Sequence, residues 1–189
     1  MEKNISNDMI KTKEDMKWHI FQDMQMNGIK VGGAKSWLKI HTNPRLLFTV
    51  NLRHYEYYYN QKQNLWNRFW KIWYYIIHKH LSYKLGYTIY ANNFGPGLYL
   101  GHYGTIVINP EVRVGANCTI HVCVNIGMGG SIIGDNVYIS PGVKIVKAVH
   151  IGNNVTIGAN AVVNKDFPDN CVVAGIPAKI IKMKEIKDI

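Results

Sequence analysis

A period of six in the second half of the chain constrains its fold more than any other feature. Aliphatic residues recur at Ile108, Val114, Ile120 and Ile126 and, after one extra residue, at Ile133, Ile139, Ile145, Ile151, Ile157 and Val163. A second small or aliphatic side chain follows most of these by four positions, at Val112, Cys118, Val124, Val137, Val143, Val149, Val155 and Ala161. Glycine stands directly after the first aliphatic in Gly115, Gly127, Gly134, Gly152 and Gly158. Neither a helix nor a simple hairpin array has this period. It fits short straight runs separated by sharp corners, three runs per turn, so that every sixth side chain points inward and stacks on its equivalent one coil away. Successive coils then pair as parallel strands about 4.8 Å apart. Glycine and asparagine suit the corners, where the backbone often needs positive φ. A single coil cannot bury its own interior, and the stretch from 88 to 168 supplies about four by this spacing.

Composition changes near Leu85. Residues 1–85 hold all the Trp and most of the Lys and Met, whereas Gly, Asn, Val and Ile dominate from Gly86 onward. The chain therefore divides into a helical N-terminal region (1–85), a β-helix with its closing segment (86–182) and a short tail (183–189). Asn64 to Leu85 reads as a helix, with Leu65, Phe69, Ile72, Trp73, Ile76, Ile77 and Leu81 at helical spacing and Arg68, Lys71, Lys79 and Lys84 on its other face. Pro44 to Tyr59 reads as a second helix, and Glu14 to Met26 as a third, ended by Asn27 and Gly28. The first twenty residues are polar, without the apolar core of a secretory leader, and no apolar run reaches the roughly 18 residues of a membrane span, so a cytoplasmic chain is expected. Three cysteines, Cys118, Cys123 and Cys171, lie among aliphatics without a CxxC spacing and read as small buried hydrophobes. A formal charge of +10 invites an anionic partner. No nucleic-acid reading motif accompanies it, which excludes that class.

Three stretches carry a resemblance to a known family: GLYLGHYGTIVINP at Gly97–Pro110, the hexads with IGDNVYI and IGNNVTIGANAVV, and the closing KDFPDNCVVAGIPAKII at Lys165–Ile181. Together they resemble the hexapeptide-repeat acyltransferases, in the serine acetyltransferase branch and its polysaccharide O-acetyltransferase relatives. The resemblance implies a mainly β fold, a left-handed parallel β-helix preceded by a short α-helical region. It also implies a homotrimer, and transfer of acetyl from acetyl-CoA, used as a co-substrate without a metal. His102, in the GH motif, matches the family's general base. Imidazole suits that role, because it titrates near neutrality and can accept a hydroxyl proton as the oxygen attacks the thioester. The backbone of Gly127 matches a thioester-site glycine and is a candidate N–H donor to the tetrahedral intermediate. Gly142 and Ala159 match small positions lining the pantetheine groove, and Lys165 and Lys179 lie where the family meets coenzyme A phosphates. His121, at a hexad corner, is a further site candidate.

The chain also departs from the serine branch. Gly101 and Thr88 stand where that branch has aspartates, and only Met128–Ser131 occupies the place of its histidine-bearing loop. A sugar or surface-polysaccharide precursor is therefore the expected acceptor, with L-serine the alternative, and a non-catalytic β-helix scaffold the reading from another class. Asn92, Asn93 and Glu111 are offered as partners orienting His102. Between Tyr57 and Pro110 there is no Asp or Glu but five Lys or Arg among Trp and Tyr, the composition of an interfacial helix. Peripheral association with the membrane is one reading of it. Packing over the end of the β-helix or against trimer mates is the other.

Overall fold

The computed structural model describes residues 9–29 and 33–185. The extreme ends of the chain, including residues 186–189 of the expected tail, lie outside the described residues. Four helices come first: α1 (Lys13–Met26), α2 (Gly33–Thr42), α3 (Pro44–Asn60) and α4 (Leu65–Leu85). α1 opens on a capping box, in which the Thr12 side chain accepts from Asp15 N and the Asp15 carboxylate accepts from Thr12 N. It ends at Asn27 as expected. α3 starts with Pro44 behind the Asn43 cap, and α4 stops at Gly86, whose left-handed backbone (φ 79°) closes the helix. α2 is a helix that the periodicity did not indicate.

The remaining chain winds through three sheets. Sheet I holds β1 (Tyr87–Thr88), β3 (Ile106–Ile108), β6 (Val124–Ile126), β9 (Lys144–Ile145) and β12 (Val162–Val163). Sheet II holds β4 (Arg113–Val114), β7 (Ile132–Ile133) and β10 (His150–Ile151), extended by single bridges at Phe94 and Phe167. Sheet III holds β2 (Tyr99–Leu100), β5 (Thr119–Ile120), β8 (Tyr138–Ile139), β11 (Thr156–Ile157), β13 (Cys171–Gly175) and β14 (Ala178–Met183). All pairings are parallel except β13 with the closing β14. Sheets I, II and III succeed one another along the chain, giving a parallel β-helix of about five turns. That is one more than the hexad count suggested, because the first and last turns use irregular spacing that the count passes over.

The register follows the repeat. Ile120 pairs with Ile139 and Ile139 with Ile157, separations of 19 and 18 residues, so the extra residue is absorbed at the corner around 127–131 without shifting the stack. All ten hexad aliphatics from Ile108 to Val163 are buried in one core. At the corner from sheet II to sheet III a ladder of Asp and Asn side chains holds the coils together. Asp135 Oδ1 accepts from Ala116 N, Asn153 Oδ1 from Asp135 N and Asp169 Oδ1 from Asn153 N, each at 2.7 Å. Glycine is required beneath each acceptor: a Cβ on Gly134 would stand 2.5 Å from Asn153 Oδ1. Asn117, Asn136, Asn154 and Asn170 take the adjoining left-handed position, φ 56–57°.

The helices close the open end of the solenoid. Phe48 and Leu52 of α3 and Leu81 and Leu85 of α4 join the same core as Ile89, Leu98, Leu100 and Ile106 of the first turns. Of the apolar stripe of α4 only the C-terminal part, Ile77 and Leu81, supplies this contact. His78, Leu81, Ser82 and Leu85 face inward, while Leu65, Phe69, Ile72, Trp73 and Ile76 are exposed. The reason is α3, whose inner end meets α4 through stacked rings, Tyr58 with Tyr74 and Tyr55 with His78. No helix among the described residues is long and apolar enough to cross a membrane.

Candidate active site along one corner of the solenoid

Each turn contributes one segment to each of three corners, and the corner leading from sheet III to sheet I gathers most of the expected site residues. It consists of residues 101–105, 121–123, 140–143 and 158–161. His102 and His121 therefore occupy successive coils, with ring centroids 6.3 Å apart, and Tyr138 from the next coil tilts against His121 at 5.1 Å. Gly142 and Ala159 lie further along the same corner. Lys179 of β14 pairs with Ala174, beside Gly158, at its far end. His102 does not point into the core, although it falls at the inward phase of the hexad. The chain bends at 102–104 and leaves the imidazole exposed.

Gly101 explains how the two histidines share the corner. A Cβ at that position would stand 2.4 Å from His121 Nδ1, so the ring of His121 occupies the space a side chain would take. An aspartate there would have to displace it. Burial, followed by the charge of His102, lowers the pKa of His121 from its ordinary value, which favours a neutral ring beside His102.

Three carbonyls around His102 are held by groups from the helical end of the chain. Arg45 Nη1 donates to Leu100 O at 2.8 Å and to Gly101 O, and the Tyr87 hydroxyl donates to His102 O at 2.8 Å. Burial pushes the Tyr87 hydroxyl up to about 12 against the opposing charge of Arg45, so it remains a donor at neutral pH. Sequence reasoning missed both residues. Arg45 left one trace: a cation in the first turn of a helix opposes the macrodipole, which suggests a partner elsewhere.

Other assignments fall elsewhere. Gly127 and Lys165 lie on a different corner, between sheets I and II, where Gly127 O accepts from Asn109 Nδ2 at 3.1 Å and Lys165 Nζ sits 5.8 Å from the Phe167 ring. Asn92, Asn93 and Glu111 do not orient His102. Asn92 exchanges hydrogen bonds with Asn60, and Asn93, fully buried, donates to Asn109 O and Val112 O. Glu111 is exposed near Gly129 on the corner between sheets I and II. Cys118 and Cys171 are buried as expected, but Cys123 is exposed. It fills the left-handed corner position (φ 61°) that Gly142 and Asn160 fill in the next two coils, where a side chain points outward. Among the described residues no group of three His, Cys, Asp or Glu is placed to hold a metal.

Residues 130–165 match the family described as bacterial transferase hexapeptide (six repeats). Curated relatives include a serine acetyltransferase of Synechococcus elongatus, 36% identical over 94 residues, covering 46% of this chain and 38% of that one. A second, from Staphylococcus xylosus, is 39% identical over 95 residues, covering 47% of this chain and 44% of the relative. The chain thus spans less than half the length of these curated relatives. Among solved structures, a serine O-acetyltransferase from Brucella melitensis superposes with a TM-score of 0.70 at 23% identity, over 91% of this chain and 71% of that one. A serine acetyltransferase in complex with CoA gives 0.68 at 20% identity, over 89% and 71%. The activity these names carry is the alternative of the two expected acceptors, serine, and none of them names a saccharide. The chain therefore carries the hexapeptide-repeat, left-handed β-helix that it shares with the serine acetyltransferases.

Proposed function

We propose that this protein is an acetyl-CoA-dependent O-acetyltransferase with His102 as its general base. The observation that carries the proposal is the shared corner. His102 stands at one end, Gly142 and Ala159 follow two and three coil spacings on, about 10 and 14 Å at roughly 4.8 Å per coil, and Lys179 lies at the far end. A thioester arm laid along this corner has its acyl group near the imidazole and its phosphates near the lysine. The relatives that bind coenzyme A have this fold.

The reaction needs no covalent enzyme intermediate. His102 takes the proton of the acceptor hydroxyl as its oxygen bonds to the thioester carbonyl carbon; the tetrahedral intermediate collapses, the C–S bond breaks, and the thiolate recovers the proton from the imidazolium. Arg45 and Tyr87 hold the corner backbone on which the imidazole is mounted. Gly127 and Lys165 serve the same site only if a second copy presents its neighbouring corner to the first, as in a trimer.

L-serine is the first acceptor to test, because it is the one the relatives' names give. A saccharide hydroxyl is the second, favoured by Gly101: the space in which the serine branch carries an aspartate is taken by His121. Thiol release from acetyl-CoA with each acceptor decides between them. His102→Ala is expected to lower kcat about 10²- to 10⁴-fold with little change in KM for acetyl-CoA. Full activity in that variant removes the base. Absence of turnover with every hydroxyl tried favours a scaffold role instead.

A further inference from the structure

The exposed face of α4 is continuous. Leu65, Phe69, Ile72, Trp73 and Ile76 lie on one side of the helix with Tyr83 in line beyond them, and they are 89, 56, 48, 52, 60 and 85% exposed. Trp66, at 67%, widens the stripe. It runs along a 21-residue helix, about 31 Å at 1.5 Å per residue. A contiguous apolar surface of this length marks an interaction site. By helical spacing Arg68 and Lys79 border one side and Lys84 the other, Lys62 precedes the helix, and no acid occurs between Glu56 and Glu111.

We infer that this face lies on an anionic lipid surface. Charge favours lipid over α4 paired with itself in a second copy, because that pairing brings two wholly basic rims together with no carboxylate between them. The aromatic residues agree: exposed Trp66, Trp73, Tyr75 and Tyr83 have the amphipathic rings that settle at headgroup depth, with aliphatic neighbours just below and lysine stems reaching outward. The helix lies in the plane of the interface. This inference does not depend on the acyl transfer proposed above, since α4 binds lipid through residues outside the His102 corner.

Flotation of the whole protein with vesicles tests it, using phosphatidylcholine alone or mixed with phosphatidylglycerol. Binding to the mixed vesicles is expected to exceed binding to neutral ones about tenfold at low salt and to fall as salt rises. Phe69→Asp with Ile76→Asp is expected to abolish it, and Arg68→Glu with Lys79→Glu to remove the preference for anionic lipid, while thiol release from acetyl-CoA stays unchanged. In the unaltered protein, brominated lipid is expected to quench tryptophan fluorescence, a readout that does not depend on any variant folding. Lack of lipid preference, lack of quenching, or full binding by the Phe69→Asp, Ile76→Asp variant overturns the inference. So does light scattering that shows an assembly dissolved by that variant in the absence of vesicle binding, since the occupant is then a second copy.

Discussion

Inside the coils most side chains closed off from water are aliphatic, and most repeat a neighbour one turn away. Where α1 and α3 meet the first turn, the largest fully buried side chain is that of Arg53. Its guanidinium donates to Asp23 through Nε at 2.8 Å and Nη2 at 3.1 Å, and to Glu56 at 2.9 Å. It also donates to the carbonyls of Phe94 at 2.9 Å and Gly95 at 2.7 Å. The carboxylates continue outward, Asp23 accepting from Leu98 N and Glu56 from Asn92 N. A solenoid turn with no coil before it has backbone groups pointing at nothing, and a buried polar group without a partner is costly. The charged cluster supplies partners for that first turn, which an apolar cap could not.

Removing Arg53 tests this contrast with the largest expected effect. Arg53→Ala leaves two carboxylates and two carbonyls buried without their donor, and is expected to cost about 3–5 kcal/mol in urea unfolding. Burial works against the guanidinium charge, but Asp23 and Glu56 more than offset it and raise its pKa, so it is protonated at every accessible pH. In the coils, Ile139→Ala is expected to cost about 3 kcal/mol, within the range for deleting a buried aliphatic. The two losses should differ in kind. Changes at Arg53 should expose the first turn to hydrogen exchange ahead of the later coils, whereas Ile139→Ala should weaken the middle. Equal exchange patterns in the two variants would break the comparison.

The same contrast explains what was legible beforehand. Ile108 to Val163 could be assigned to the core from sequence because each coil repeats the same environment, so a period in the sequence becomes a period in burial. His102 could be singled out as a candidate through its motif, but its exposure could not, since the bend at 102–104 breaks the hexad phase that would have turned it inward. In the helical region the pattern misled: α4 has an apolar stripe, yet the buried side carries His78 and Ser82. Periodicity reports that a helix has two faces. It does not report which face meets the protein when aromatic stacking and buried charge make the contact. Arg45 and Tyr87 were missed for a related reason, as their partners are backbone carbonyls 55 and 15 positions away, and Arg53 because Asp23 and the Phe94 carbonyl stand 30 and 41 positions from it, distances that leave no sequence signature.

A pH titration reaches the cap more gently. His78 is buried, with Nε2 against Ile89 O at 2.9 Å and no partner at Nδ1. Burial lowers its pKa, with neighbouring Lys79 acting in the same direction and the Ile89 bond opposing. The folded state thus prefers the neutral ring. Its contribution is fully present above the unfolded value near 6.5 and is lost as pH falls through the lowered folded value. Unfolding free energy should decline on acidification by at most about 1.4 kcal/mol per pH unit from this group. His78→Gln should flatten that decline, and an unchanged slope would mean the ring is not what titrates.

The smallest effect expected concerns Tyr87, where cap and corner meet. Its hydroxyl has one visible task, donating to His102 O, so Tyr87→Phe removes one hydrogen bond and little volume. The stability cost should be about 1 kcal/mol. If the bond positions the imidazole, kcat for thiol release should drop several-fold while KM for acetyl-CoA is unchanged, because the coenzyme site proposed at Gly142 and Ala159 is built by later coils. A purely structural role predicts the stability loss alone, with both kinetic parameters intact. That outcome would separate the cap from the chemistry, leaving α3 and β1 to hold the first turn and the corner loop to position His102 by itself.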